Sequence, residues 1–419
     1  MITLYFRFHN YFLKVKIKSE YAALFYFFYI NKRYFQYAII IEREKYKREN
    51  GRMEKQQRAY PMVMTMRWCS FVKMIWRYRD HIDRAGYKDV ARIVMNNAIF
   101  FWHMRLKNDL QYHNKVTKLT LKEDPLFIIG HWRSGTTWLH EMIAMDQNMI
   151  FPNTLECFAP DLFLLIEDRM KSKAVLKKRA MDDVQVSFLT PQEDEFALMN
   201  MGLPSPLKRI IFPNADPLPD VDWLGMENID RRDLNQWMNA LLLFYKRLAY
   251  YKGNKRIVTK NPAHTSRIHV LHEMFPKAKY VFIYRNPLDV IPSCIKTFRK
   301  LSEEYGFEKH SPQTLAKDFE YTLQGYDYLH SMYEKGKTLL NPDQIVEIRY
   351  EDLVEQPFAV IKSSYEALGL DFSKLEPLLK EQASRSKKPV GYDLNPEEKQ
   401  MIIQRLRHWF DRFGYDCNI

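Results

Sequence analysis

The stretch PLFIIGHWRSGTTWLH, residues 125–140, decides the fold of this chain of 419 residues. Its apolar run, residues 126–129, is typical of a buried strand, and the amphipathic segment that opens at two threonines is typical of a helix. Gly130 and Gly135 bracket the loop between them. A nucleoside-triphosphate loop reads G-x-x-x-x-G-K-[ST], but Thr136 stands where that motif has lysine. We therefore predict a strand, a phosphate-binding loop and a helix, without the lysine that reaches the outer phosphates of ATP.

The predicted loop is suited to an anion. The first backbone N–H groups of a helix have no partner within the helix, and the helix dipole favours negative charge there. These groups belong to Ser134, Gly135, Thr136 and Thr137. Gly135 allows the backbone to approach a ligand closely, and Arg133 supplies a cation from inside the loop.

Downstream, short apolar runs alternate with helical patterns. The predicted strands are 256–259, 280–284 and 344–348, and the predicted helices are 231–251, 266–275, 358–368 and one that begins at Pro287. Strands that alternate with helices favour βαβ units and a parallel sheet. The sequence thus predicts an α/β fold of the P-loop-like, three-layer type, with helices on both faces of a mostly parallel central sheet.

Three parts are predicted along the chain. Residues 1–52 form an atypical N-terminal extension, residues 53–120 a helical segment, and residues 121–419 the main domain. Within that domain, residues 151–226 are predicted to be an irregular insertion that shapes an acceptor pocket. In the helical segment, a helix is predicted from apolar residues that recur at helical spacing, namely Trp68, Phe71, Val72, Ile75 and Trp76.

The composition limits the classes of partner. A net charge of +13 favours an anionic partner, but residues 1–52 hold 11 Lys and Arg against 4 Asp and Glu, so the other residues carry only +6. No nucleic-acid partner is therefore expected. Four scattered cysteines give neither a zinc pattern nor a disulfide framework, which predicts a reducing, cytoplasmic location.

The extension over 1–52 has three open interpretations. Its most apolar piece, residues 21–40, holds Asn31, Lys32 and Arg33 at the centre, which is costly for a membrane span. It is a translation start placed too far upstream, an interfacial anchor that gives peripheral membrane contact, or a weak signal anchor. We favour the first, because AT-rich upstream DNA encodes this composition.

A second anion site is predicted in YVFIYRNPLDVIPSCIKTF, residues 280–298. Arg285 ends the predicted strand, and Asn286 caps the helix that follows, with Asp289 completing a pair that resembles a capping box. Ser293 lies seven residues after Asn286, two turns along the same helix face. Arg285 and Ser293 are therefore expected to reach one phosphate together.

Together these motifs resemble those of the sulfotransferases, which use the sulfuryl donor 3′-phosphoadenosine 5′-phosphosulfate (PAPS). GHWRSGTTWLHEMI is similar to the family's 5′-phosphosulfate loop, which has a basic residue, Ser-Gly-Thr-Thr and often tryptophan, here Trp138. The family also has Arg and Ser eight residues apart, as Arg285 and Ser293 are. The resemblance implies PAPS as co-substrate, a hydroxyl-bearing acceptor and no metal.

Two further segments resemble the family. RIVTKNPAHTSRIHVLHEMFPKAKY, residues 256–280, is similar to its lysine-containing strand end, above all in the tyrosylprotein and bacterial branches. This implies that Lys260 donates to the oxygen that bridges phosphorus and sulfur. VEIRYEDLVEQP, residues 346–357, resembles a segment whose tyrosine lines the nucleotide, which makes Tyr350 a candidate, with a core tyrosine as the alternative.

A general base must take the proton of the acceptor hydroxyl. Cytosolic sulfotransferases have a histidine two residues after the lysine, where this chain has Pro262, and the nearest histidine is His264. Tyrosylprotein sulfotransferases have a glutamate some twenty residues past the loop, and Glu156 lies at that spacing. The resemblance therefore makes Glu156 the first candidate and His264 the second.

The segment TPQEDEFAL holds a third candidate. Thr190 and Glu193 have the spacing of a capping box, which accounts for Glu193 structurally. Asp194 is expected to face solvent. Glu195 remains as an acid of the acceptor site.

The sequence thus predicts a PAPS-dependent sulfotransferase whose acceptor is a glycan, a lipid or another alcohol or phenol. Two alternatives are weighed. A P-loop kinase or NTPase would need lysine at Thr136 and an aspartate for magnesium where Arg285 stands. A non-enzymatic binder of an anion or a membrane surface would follow from the charge alone.

Overall fold

A computed structural model describes residues 62–171, 177–178, 185–382 and 394–417. All of them belong to one compact unit, Tyr60–Ile419. The interpretations of residues 1–52 fall outside the described residues.

Five parallel strands form the central sheet, namely β1 Leu126–Ile129, β2 Met149–Ile150, β5 Arg256–Lys260, β6 Lys279–Tyr284 and β7 Ile345–Arg349. Their order across the sheet is β2-β5-β1-β6-β7. A short antiparallel pair, β3 Lys177–Lys178 and β4 Gln185–Val186, stands apart from this sheet. The four strands predicted from apolar runs are therefore confirmed to within one residue at each end.

Helices cover both faces of the sheet. The helices are α1 Trp68–Arg77, α2 Gly86–Asn96, α3 Trp102–Thr117, α4 Thr136–Ile143, α5 Thr154–Phe158, α6 Phe163–Lys171, α7 Asp194–Asn200, α8 Arg231–Lys252, α9 Ile268–Met274, α10 Pro287–Tyr305, α11 Pro312–Lys337, α12 Tyr350–Glu355, α13 Pro357–Ala367, α14 Glu376–Gln382 and α15 Pro396–Phe413. Successive side chains of β1 enter two different apolar clusters, because a strand points its side chains alternately to opposite faces. Phe127 packs in one cluster and Ile128 in the other, so the predicted three-layer α/β fold is confirmed.

The stretch predicted as an irregular insertion, residues 151–226, combines short helices and the β3–β4 pair with irregular chain where it is described. It holds α5, α6 and α7, followed by the 3-10 segments Pro206–Ile210 and Val221–Trp223. Of the described helices, none is long and apolar enough to cross a membrane.

The helical pattern predicted over residues 68–76 is confirmed by α1, but only one of the five apolar residues that carry the pattern is buried. Phe71 is fully buried in the core, but Trp76 is 72% exposed and Val72 is also exposed. Helical spacing identified the helix, whereas it could not show which apolar side chains the rest of the protein covers.

Candidate active site

The predicted site residues meet at one edge of the sheet. Neighbouring strands β5, β1, β6 and β7 are parallel, so their carboxyl ends lie together, where ligands bind in open α/β sheets. Lys260 ends β5, Arg133 follows β1, Arg285 follows β6 and Tyr350 follows β7.

The loop after β1 has the backbone of an anion-binding turn. Gly135 is the N-cap of α4 with φ of 99°, and a residue without a side chain leaves the first helical N–H groups open to a ligand. A Cβ at Gly135 would lie 2.4 Å from a ring carbon of Tyr350. Arg133 also has a left-handed φ, 72°, which is uncommon for a residue other than glycine and is typical of functional turns.

The other loop residues are held inside the protein. Ser134 is buried and its hydroxyl donates to the carbonyl of His131 at 2.7 Å. Thr136 is buried, Thr137 is half-buried, and Trp138 packs partly buried against the cluster around α12 and α13. These side chains fix the loop, so the backbone amides and Arg133 are the groups that a ligand would meet.

The two predicted anion motifs are joined directly. Arg133 Nε donates to the hydroxyl of Ser293 at 2.9 Å across 160 residues of sequence. Arg285 lies over the ring of Tyr350, with Cζ 4.5 Å from the centroid, and it pairs with Asp289 at 3.2 Å. Two guanidinium groups, a hydroxyl and an aromatic ring thus surround one place, which suits a nucleotide with two phosphate groups.

One detail of that second motif was predicted wrongly. Asn286 does cap α10, since its side-chain oxygen accepts from the N–H of Leu288 at 3.0 Å. Asp289 does not complete a capping box with it, because the carboxylate turns to the guanidinium of Arg285 instead.

Lys260 is buried at the end of β5, and its ammonium pairs with the carboxylate of Glu193. The predicted capping box of Thr190 and Glu193 is therefore wrong. The Thr190 hydroxyl donates to the carbonyl of Ser187, and Glu193 itself precedes helix α7. Its side chain stays 13% exposed, which makes it the accessible acid beside the lysine.

Asp194 does not face solvent, contrary to the prediction, and is fully buried. It accepts from Tyr245 at 2.6 Å, from Thr259 at 3.0 Å and from Asn261 at 2.8 Å, and it pairs with His264 at 3.2 Å. Burial alone would raise the pKa of Asp194, but His264 and these hydrogen bonds lower it to about 2.

Glu195 has both oxygens occupied by structural partners. Arg267 pairs with it at 2.6 Å, and Asn261 and Ser205 donate to its two oxygens. Burial would raise the pKa of Glu195, but Arg267 and the hydrogen bonds from Asn261 and Ser205 together hold the pKa below its usual range.

The three consecutive acids 193–195 thus each pair with a basic residue at or just after the end of β5. Glu193 pairs with Lys260, Asp194 with His264, and Glu195 with Arg267. This set of pairs was missed in the sequence. Its signal was three consecutive acids and three basic residues spaced four and three apart, with 67 to 72 residues between the partners.

Glu156 is buried at the start of α5 and acts as a helix cap. It forms a capping box with Asn153, and Lys252 donates to its Oε2 at 2.8 Å. Burial raises the pKa of Glu156 to about 7, although the ammonium of Lys252 opposes that shift.

His264 is also fully buried, and its ring packs edge-on against Phe127 and Trp237. Its Nε2 faces Asp194, which fixes the orientation of the ring. Both predicted bases are therefore placed in the interior of the protein, whereas Glu193 reaches the surface. In the described part of the chain, no group of three or more His, Cys, Asp or Glu side chains could hold a metal ion.

Comparisons with known proteins show which family the chain resembles. Residues 125–374 match the model of the Sulfotransferase family. The chain is 34% identical over 367 residues to the omega-hydroxy-beta-dihydromenaquinone-9 sulfotransferase Stf3 of Mycobacterium bovis, covering 85% of this chain and 92% of that protein. An Stf3 from Mycobacterium tuberculosis matches to the same extent.

Solved structures show the same fold. Sulfotransferase STF9 of Mycobacterium avium superposes with a TM-score of 0.62 at 15% identity, over 80% of this chain and 87% of that one. Sulfotransferase STF1 of Mycobacterium tuberculosis gives a TM-score of 0.54 at 17% identity, over 79% and 89%.

The chain therefore belongs to the sulfotransferase family. It is an enzyme that moves a sulfuryl group from its donor to a hydroxyl acceptor, and PAPS-dependent transfer is the general reaction of the family. The predicted class of enzyme is confirmed.

Proposed function

We propose that this enzyme transfers the sulfuryl group of PAPS to a hydroxyl group of a long-chain lipid. The proposal of PAPS as the donor rests on the hydrogen bond between Arg133 and Ser293, beside Arg285 and Tyr350. The name of the relatives, which act on a hydroxylated menaquinone, supports a lipid acceptor over a glycan or a small phenol.

Each phosphate group of the donor has its own set of residues. The amides at the start of α4 and Arg133 hold the 5′-phosphosulfate, and Arg285 with Ser293 holds the 3′-phosphate. Tyr350 lies against the nucleotide. Positive charge from arginine and lysine does the work that a metal does in a kinase, so transfer needs no metal.

Lys260 and Glu193 divide the proton chemistry between them. The acceptor oxygen attacks sulfur in line, a new S–O bond forms, and the old S–O bond leaves its electron pair on the phosphate oxygen. Lys260 donates to that oxygen as charge builds on it. Glu193 is thereby released from its ion pair and takes the proton of the acceptor hydroxyl.

Glu193 is the base that the geometry favours over the candidates from resemblance. It contacts Lys260 and is partly exposed, whereas Glu156 and His264 are fully buried. Glu156 has a pKa of about 7, close to the value that suits a base at neutral pH, so a variant of Glu156 is tested beside that of Glu193.

The test uses ³⁵S-labelled PAPS and a total lipid extract, with and without a metal chelator. We expect a labelled, chloroform-soluble product, unchanged by the chelator. Glu193→Gln should lower kcat by about 10²- to 10⁴-fold with little change in the affinity for adenosine 3′,5′-bisphosphate. Full turnover in Glu193→Gln together with loss in Glu156→Gln or His264→Gln would move the base to that residue. A label found only in water-soluble product would reject the lipid acceptor.

A further inference from the structure

The positive charge of the chain is concentrated before the catalytic domain. Residues 62–118 contain 11 Lys and Arg, 4 Asp and no Glu, a net charge of +7. Residues 119–419 contain 40 Lys and Arg against 42 Asp and Glu. The segment that holds α1, α2 and α3 is therefore basic, whereas the rest of the chain after it is slightly acidic.

The same helices expose large apolar side chains. Nine of the fifteen large apolar residues that are exposed among those described lie between residues 68 and 110. Scattered exposed apolar residues are normal, but a concentration of this kind marks an interaction surface.

On α2 and α3 these residues form a stripe that points away from the protein. Tyr87 and Met95 lie on α2, and Trp102, Leu106 and Leu110 lie on α3 at spacings of four residues. Asn108, two residues from both Leu106 and Leu110, is buried, so it lies on the opposite side of α3. Leu110 is 80% exposed.

Helix α1 carries a second apolar row and is fixed to α3. Trp68, Val72 and Trp76 are exposed at spacings of four residues. The guanidinium of Arg105 donates to the carbonyl of Thr65 just before α1 and, at 3.0 Å, to Asn97 just before α3.

Basic side chains border both rows. Lys73 and Arg77 follow the row on α1, and Lys88 and Arg92 follow the row on α2; all four are exposed. Exposed Trp and Leu beside Lys and Arg are typical of helices that lie in the plane of a bilayer surface, with apolar groups among the acyl chains and cations at the headgroups.

We propose that α1, α2 and α3 form a docking surface for an anionic lipid bilayer. The charge selects this occupant, because an apolar contact between two copies of the chain would bring two bodies of net charge +7 together, whereas anionic headgroups neutralise them. This proposal is independent of the proposed function, since it concerns how the enzyme binds a membrane and not which molecule it sulfates.

The experiment is co-sedimentation of the full chain with vesicles of phosphatidylcholine, alone or with phosphatidylglycerol. We expect binding to the vesicles with phosphatidylglycerol and release by high salt. Trp76→Glu/Leu110→Glu should weaken that binding by at least about tenfold. The control Leu339→Glu/Met401→Glu adds the same charge at exposed apolar positions outside the surface and should bind normally.

Three results would overturn the docking surface. The first is that the full chain binds neither kind of vesicle. The second is that Trp76→Glu/Leu110→Glu binds as well as the unchanged protein, which would assign the contact to another part such as residues 1–61. The third is that the protein is a dimer and that this variant splits it into monomers. A thermal shift with adenosine 3′,5′-bisphosphate checks that each variant is folded. Lipid sulfation in detergent without vesicle binding would reject the surface alone, and vesicle binding without sulfation would reject the proposed function alone.

Discussion

Replacing Gly135 with alanine tests how closely Tyr350 packs against the donor loop. The new Cβ would lie 2.4 and 2.7 Å from two carbons of the Tyr350 ring, which is buried beneath the guanidinium of Arg285. Real Cβ atoms do not approach so closely, so the ring or the loop must move, at a cost of about 1–3 kcal/mol. The left-handed φ of 99° adds about 1–2 kcal/mol for alanine.

Gly253 provides a matched control at the end of α8. Its φ is 96°, nearly that of Gly135, but an added Cβ there meets nothing within 4 Å. Gly253→Ala should therefore lower the free energy of unfolding by about 1–2 kcal/mol, and Gly135→Ala by about 2–5 kcal/mol. Urea unfolding measures both. In a Tyr350→Ala background, Gly135→Ala should lower the free energy of unfolding only by the amount that the left-handed backbone costs, about 1–2 kcal/mol, because the clashing ring is gone.

Binding of adenosine 3′,5′-bisphosphate, measured by calorimetry, separates the loop from the rest of the protein. Gly135→Ala should weaken that binding, because the amides of the loop are displaced, whereas Gly253→Ala should leave it unchanged. Equal stability losses in the two variants, or a loss at Gly135 that persists in full without the Tyr350 ring, would refute the packing of Tyr350 on this loop.

Lys260→Ala should lower kcat by about 10²- to 10³-fold. The binding of adenosine 3′,5′-bisphosphate should weaken by a smaller factor. Equal effects on kcat and on binding would argue against a role of Lys260 at the leaving oxygen. Arg267→Ala leaves the Glu195 carboxylate buried without its countercharge and should cost about 3–5 kcal/mol in urea unfolding. Arg231→Ala, which breaks an exposed pair, is the comparison and should cost far less, because solvent screens that pair; similar losses would contradict the burial argument. The raised pKa of Glu156 means that the folded state keeps its proton above the usual pKa, so stability should fall by up to about 3 kcal/mol as the pH rises from 4.5 to 7. Glu156→Gln should flatten that slope, and an unchanged slope would assign it to another group.

The fold was predictable because its signals are local. The runs at 126–129 and 280–284 are apolar, short and followed by Gly130 and by Asn286-Pro287, so strand ends and helix starts could be read within one residue. That the candidate donor residues lie close together was also predictable, since they follow parallel strands and the carboxyl ends of adjacent parallel strands lie together; that they bind the donor stays a prediction.

The acids at 193–195 were misread for the opposite reason. A capping box is a rule about residues three apart, and it gave Glu193 a local partner and left Asp194 to solvent. Their actual partners are 67 and 70 residues away, and only the tertiary fold brings Lys260 and His264 to them. The exposed rows on α1 and α3 show the same limit, because periodicity does not reveal which face is covered.

The three buried or half-buried ion pairs at 193–195 are best understood as positioning devices. Such pairs contribute little net stability, because desolvation offsets their attraction, and apolar residues of similar volume often serve a core as well. Here the basic partners of all three acids lie within eight consecutive residues, from Lys260 to Arg267. Because Asn261 is held by Asp194 and Glu195 at once, the strand end next to Lys260 cannot shift without breaking both contacts. We infer that the pairs of Asp194 and Glu195 fix the strand end that carries Lys260, so that its ammonium stays within reach of the leaving oxygen after it leaves Glu193. A displacement of about 1 Å there would cost about 10²-fold in rate.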